Sequence, residues 1–238
     1  MDIGLMFDSL PRLMGGVVTT LQLVGLALLI GIVLAVGLAQ MRLSSNWALS
    51  KVAYGYVFVF RGTPLLVQIF LIYYGIAQFE AIRESFAWPV LRDAKWCAII
   101  ALSMNTAAYT SEIVRGGILS VPHGAVEAAR ACGMSRLMVF RRIVLPIAVR
   151  QALPAYGNEV ILMVKASSLA STITIMEVTG IAKAIVSRTF APFEIFIVAG
   201  AIYLAINFVV TRAIRYAEWR LTPYLRDRPT SAPAIATH

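Results

Sequence analysis

Glu127-Ala128-Ala129-Arg130-Ala131-Cys132-Gly133-Met134-Ser135-Arg136-Leu137-Met138-Val139-Phe140-Arg141-Arg142-Ile143-Val144-Leu145-Pro146 is an arginine-rich amphipathic stretch between segments apolar enough to lie in lipid. It opens on Glu-Ala-Ala, reaches Gly133 after a gap of three residues, and closes after nine more on Ile143 and Leu145-Pro146. From Ala125 to Arg142 there is no proline and much Ala, Met, Leu and Arg, which predicts helix. Gly133 interrupts that helix and predicts two short helices meeting at a corner. The apolar positions Val126, Ala129, Cys132, Leu137, Phe140 and Ile143 do not make one unbroken stripe. Two readings fit the spacing: an amphipathic helix lying on anionic lipid, or a knob that docks into a groove on a soluble partner.

The rest of the chain is built for lipid. Of its 238 residues, 59% are hydrophobic and 14% charged, and the mean hydropathy is +0.78. A soluble domain would carry roughly 25% charged residues. The length suits roughly five or six spans with short loops. The net charge of +9 would suggest nucleic acid in a soluble protein, but here the basic residues flank apolar segments, so topology explains them better. Cys97 and Cys132 form no CxxC or Cys/His cluster, which gives no support for a disulfide or a metal site. Met1-Asp2-Ile3-Gly4 lacks a basic n-region, so the first apolar run reads as an uncleaved anchor.

That run, 13–41, holds no charged residue and predicts the first span; Gly15, Gly16, Gly25, Gly31 and Gly37 leave room for close helix packing. Further spans are expected at about 52–79, 96–114, 158–178 and 193–211. Arg61-Gly62-Thr63-Pro64 should kink or unwind the second. Residues 1–228 form one transmembrane domain in this reading. It contains a cytoplasmic loop over 121–156, in which Pro146 and Pro154 bracket a short segment, and 229–238 is a disordered tail. With the N-terminus outside, fourteen of the 21 basic residues fall in the inner pieces 42–53, 115–165 and 212–238. Six fall outside and Arg61 lies within a span. An odd number of spans and an internal C-terminus follow from the positive-inside bias.

The arginine-rich stretch has the spacing of the EAA loop of bacterial ABC importer permeases. The chain resembles the polar amino-acid uptake subfamily of type I importers over nearly its whole length. Arg61-Gly62-Thr63-Pro64-Leu65-Leu66-Val67-Gln68 looks like that subfamily's second-span signature. Asn105-Thr106-Ala107-Ala108-Tyr109-Thr110-Ser111-Glu112 and Ser120-Val121-Pro122-His123-Gly124 are similar to its third span and exit. Asn158-Glu159-Val160-Ile161-Leu162-Met163, followed by Ser167-Ser168-Leu169-Ala170, looks like the start of its fourth. Within the subfamily the chain looks most like the M-type subunit of histidine/lysine/arginine and opine (octopine, nopaline) transporters. Lys165-Ala166-Ser167-Ser168-Leu169 departs from the commoner Lys-Asp/Ser-Thr-Ser/Ala-Leu, so substrate cannot be read from it.

The resemblance implies an all-α, MetI-like permease fold of five transmembrane helices in the bacterial inner membrane. It implies a second permease subunit, of a related Q type if the pair is a heterodimer, two ABC ATPase subunits that bind ATP and Mg, and a periplasmic solute-binding protein. No cofactor is implied for this chain itself. The EAA segment would be the coupling helix, with Glu127, Ala128, Ala129 and Gly133 in that role and Arg130 and Arg136 as flanking contacts.

Ionisable groups at membrane depth are costly and usually functional. Asn105, Tyr109 and Glu112 fall at i, i+4 and i+7 and share one helical face. They could line a path for an amino acid, or Glu112 could simply pair with Arg115 while the other two bond neighbouring helices. Glu159 could meet a cationic substrate, or sit near a helix N-terminus beside Arg150 or Lys165. Arg61 could hold a carboxylate, or satisfy the carbonyls freed at Gly-Thr-Pro. Thr172 and Thr174 suit packing bonds. No Gly-x4-Gly-Lys-Ser/Thr occurs, so the chain is not expected to hydrolyse ATP. An ion-coupled carrier acting without an ATPase would want a chain of intramembrane carboxylates, which only Glu112 and Glu159 approach. An intramembrane enzyme lacks paired catalytic residues. The topology is checked by fusions: alkaline phosphatase joined after Arg92 should be active and green fluorescent protein joined after Leu221 should fluoresce, and the reverse pattern would contradict it.

Overall fold

The structure, a computed structural model, describes residues 2–221; the expected tail at 229–238 lies outside the described residues. Every regular element among them is helical. Helix α1 (Ile3–Leu43) starts well before residue 13, because Asp2 caps it by accepting the Leu5 N–H at 3.0 Å and the helix continues through Pro11. Helix α2 (Trp47–Gly62) begins on the Asn46 cap, which accepts the Ala48 N–H at 2.9 Å. It stops at Thr63-Pro64. Helix α3 (Leu65–Phe70) then runs on through a π turn (Leu71–Gly75) and a 3-10 turn (Ile76–Gln78), and the two halves differ in direction by 105°. The Gly-Thr-Pro step therefore makes a sharp bend rather than a mild kink. Two single-turn helices, α4 (Glu80–Arg83) and α5 (Trp88–Leu91), lead to α6 (Ala94–Leu119).

The 121–156 region differs from expectation. Helix α7 (His123–Ala131) and α8 (Arg136–Val139) form the predicted corner, but α9 (Leu145–Ala166) begins at Leu145. Pro146 lies just after the π turn Phe140–Val144, and Pro154 lies inside α9. These prolines therefore do not bracket a separate segment: the non-helical part of the loop ends at Ser135, and α8, the π turn and α9 follow one another without a break. Beyond α9 a 3-10 stretch (Ser167–Ile173) leads to a break and then to α10 (Val178–Thr189). Helix α11 (Pro192–Leu221) closes the described chain.

Among the described residues, three helices are long and apolar enough to cross a membrane, and two bent pairs raise the number to up to five. Helix α6 is the centre: 67% of its apolar window is buried, against 28% for α1 and 22% for α11. It packs on α1, α2, α3 and α9. Leu23, Ile69, Ile99, Leu102 and Ile173 fill the core around it, and Leu13, Val178 and Ile195 form a second cluster between α1, α10 and α11. The exposed faces of α1 and α11 are apolar, as lipid contact requires. Of the five glycines in 13–41, two make close contacts. A Cβ on Gly16 would stand 2.6 Å from the Val178 backbone nitrogen, and one on Gly31 would stand 2.3 Å from the Thr106 methyl; Gly15, Gly25 and Gly37 meet nothing within 4 Å. Gly16→Ala should therefore cost about 1–3 kcal/mol of stability, seen as a lower melting temperature in detergent. Gly15→Ala should leave the midpoint unchanged, and equal midpoints for both variants would contradict this packing.

Candidate functional site

Two regions gather the polar residues: the corner at Gly133 and a face of α6. The corner follows from local chemistry. Helix α7 ends in a Schellman turn, in which the Met134 N–H bonds the Ala129 carbonyl at 3.2 Å and the Gly133 N–H bonds that of Arg130 at 2.9 Å. Gly133 takes φ +76°, the left-handed region that glycine enters without a Cβ penalty. Ser135 then caps α8 by accepting the Met138 N–H. Ala129 is buried inside the corner, whereas Glu127, Ala128, Arg130, Gly133 and Arg136 are exposed. The corner thus offers a small-residue surface edged by charge. Helix α6 runs directly into it through Ser120-Val121-Pro122.

On α6, Asn105, Tyr109 and Glu112 do share a face, and each has a defined partner. The bend between α2 and α3 frees backbone carbonyls, and Gln68 satisfies them. Its amide donates to the carbonyls of Phe60 at 3.0 Å and Thr63 at 3.2 Å and to the Thr63 hydroxyl at 2.8 Å, while its own carbonyl accepts from the Asn105 amide at 2.9 Å. The structural role considered for Arg61 therefore belongs to Gln68. The Arg61 guanidinium instead lies over the Tyr109 ring, 5.2 Å from its centroid. Glu112 accepts from Arg115 at 2.7 and 3.0 Å and from Arg42 Nε at 3.2 Å. Pairing with Arg115 is thus real, but Arg42 adds a second cation from α1 and also covers the Tyr54 ring at 5.0 Å. These contacts tie α1, α2 and α6 together near the C-terminal end of α6.

Glu159 lies well inside α9 rather than at its N-terminus, since α9 starts at Leu145. It is 5% exposed and accepts from the Thr106 hydroxyl at 2.8 Å. A buried carboxylate needs such a donor. Two cavities flank this cluster. One, of about 400 Å³, is lined by Arg42, Tyr54, Val57, Phe58, Arg61, Gly62, Tyr109 and Glu112. The other, of about 260 Å³, is lined by Asn105, Tyr109, Glu159, Leu162, Met163 and Ala166. The five expected path residues thus lie along one pair of adjoining cavities, and the corner residues lie apart from them. Among the described residues no group of three or more His, Cys, Asp or Glu side chains could hold a metal ion.

Three residues escaped the sequence reading. Gln68 ends the quoted second-span signature, but its role depends on a bend angle that no pattern gives. Arg42 was read only as a positive-inside charge. Glu177 is fully buried and accepts from the Gly180 N–H at 2.8 Å and from the Tyr203 hydroxyl, which fixes the start of α10 against α11. Its signal was there: a lone carboxylate in an apolar run, three residues before a glycine. Thr172 donates to the Leu169 carbonyl at 2.6 Å, a bond within its own 3-10 stretch rather than one between helices, and Thr174 takes φ 68° at the break. Gln68→Leu should cost about 1–3 kcal/mol by leaving carbonyls unpaired, and an unchanged melting midpoint would contradict the capping role.

Residues 27–223 match the family of binding-protein-dependent transport system inner membrane components. The chain is 59% identical to the nopaline transport system permease protein NocM of Agrobacterium fabrum, over 100% of both chains. It is 43% identical to the histidine/lysine/arginine/ornithine transport system permease protein HisM of Escherichia coli, over 90% of this chain and 91% of that one. A solved structure of an amino acid ABC transporter with histidines is similar at a TM-score of 0.82 and 36% identity, covering 92% of this chain and 99% of that one. Agreement of motif, sequence and fold over nearly the whole length leaves one assignment: this multi-pass membrane protein belongs to the family of inner membrane components of binding-protein-dependent transport systems.

Proposed function

We propose that this chain is the permease subunit of an ATP-driven ABC importer for polar amino acids, basic or opine-type, in the bacterial inner membrane. The relatives named for nopaline and for histidine, lysine, arginine and ornithine support that range of solutes. The observation that carries the mechanism is the exposed corner at Gly133. Glu127, Ala128, Arg130 and Arg136 face outward there, on a rigid turn joined directly to α6. A small-residue surface on a stiff lever suits insertion into a cleft on an ATPase subunit. Movement of the corner would then be carried by α6 to the Arg42–Glu112–Arg115 cluster and the two cavities.

In this reading the chain crosses the membrane five times, with the N-terminus outside. Helix α1, the α2–α3 pair, α6, the α9–α10 pair and α11 are the crossings. Asn105, Tyr109, Glu112, Glu159 and Arg61 line the solute path. Two ATPase subunits bind ATP and Mg, a second and related permease completes the path, and a periplasmic binding protein delivers the solute. The chain has no phosphate-binding loop of its own. Membership of a binding-protein-dependent family favours this assembly over an ion-coupled carrier working alone.

A side chain at position 133 would strain the left-handed turn by roughly 1–2 kcal/mol, close to the 1.4 kcal/mol that shifts a population about tenfold. Gly133→Val should therefore lower ATP-driven uptake of L-arginine or nopaline about tenfold while membrane insertion stays normal. Undiminished uptake by this variant would contradict the coupling role.

A further inference from the structure

Tyr109 is the one residue that lines both cavities among the described residues. On its corner side the walls carry Arg42, Arg61 and Glu112, with more positive than negative charge. On its other side the charged wall residue is the carboxylate of Glu159. The ring is half-buried on the central helix and the Arg61 guanidinium stacks on it. One turn away, Asn105 is fixed to Gln68 at the bend. The ring is therefore held by Arg61, which stands beside the sharpest bend among the described helix pairs. Arg61 has no carboxylate within ion-pair distance among the described residues, although its charge interacts with Glu159. A guanidinium with open donors facing a cavity is a ready partner for a carboxylate, which it binds more strongly than an aromatic face.

We propose that Tyr109 is a divider in the solute path, separating a Glu159 chamber from an Arg61 chamber. The opposed charges suit a solute with a cationic and an anionic end, lying across the ring with its cation toward Glu159 and its carboxylate toward Arg61. The divider keeps the two chambers from joining when the ATPase is idle. This rests on the solute-path assignment above. That assignment is tested separately by ATP-driven uptake in the unsubstituted complex.

The test uses the assembled importer in proteoliposomes preloaded with labelled L-arginine and free of ATP. The unsubstituted complex should hold the label. Tyr109→Ala should release it at least about tenfold faster, and Tyr109→Phe, which keeps the ring, should hold it. A Tyr109→Cys complex should leak and then close when benzyl methanethiosulfonate restores an aromatic group, with the treated unsubstituted complex as control. Retention by both Tyr109→Ala and Tyr109→Cys would overturn the divider. So would a leak in Tyr109→Phe equal to that of Tyr109→Ala. If Tyr109→Ala fails to assemble, the Tyr109→Cys complex decides: a leak sealed by the reagent supports the divider and a tight complex overturns it.

Discussion

Inside lipid no water is at hand for a freed carbonyl or N–H, so each break in a spanning helix must be closed by the protein itself. That constraint organises this structure. The bend at Thr63-Pro64 exposes the Phe60 and Thr63 carbonyls, and Gln68 takes them both while its own carbonyl binds Asn105. The break before α10 is closed by Glu177, which accepts the Gly180 N–H and the Tyr203 hydroxyl. Each closure joins two or more helices at a polar point in an otherwise apolar core. The same bonds that satisfy the backbone therefore also place the α6 face next to the bend.

The break at Gly133 is of another kind. It is closed by its own Schellman turn, and it leaves Glu127, Ala128 and Arg130 exposed instead of engaged. A rigid corner with an open face is what a docking element needs. Helix α6 links this corner to the Glu112 cluster, where Arg42 and Arg115 hold one carboxylate between α1 and α6. Geometry thus connects the proposed docking face to the proposed path through one buried helix.

Much of this was legible in the sequence because the signals were local. Gly133 as a corner, Gly-Thr-Pro as a break and the i, i+4, i+7 face of α6 all follow from residue type and helical period. The α9 boundary was not legible, since Pro146 and Pro154 look like punctuation, whereas the helix runs on through both. The partners of Arg42, Gln68 and Glu159 were not legible either. Their contacts span 70, 37 and 53 residues, and nothing in the local pattern encodes those distances. Arg61 shows the same limit: its sequence setting offers a carboxylate or a freed carbonyl as partner, but its guanidinium lies over the ring of Tyr109.

The most direct measurement of the central claim is disulfide cross-linking from the corner in the intact complex. Cysteine in place of Glu127 or Arg130 should trap an ATPase subunit through a cysteine in its cleft, and the yield should change when nucleotide binds. Capture of no ATPase from either position, in cells that express all subunits at normal levels, would contradict the account.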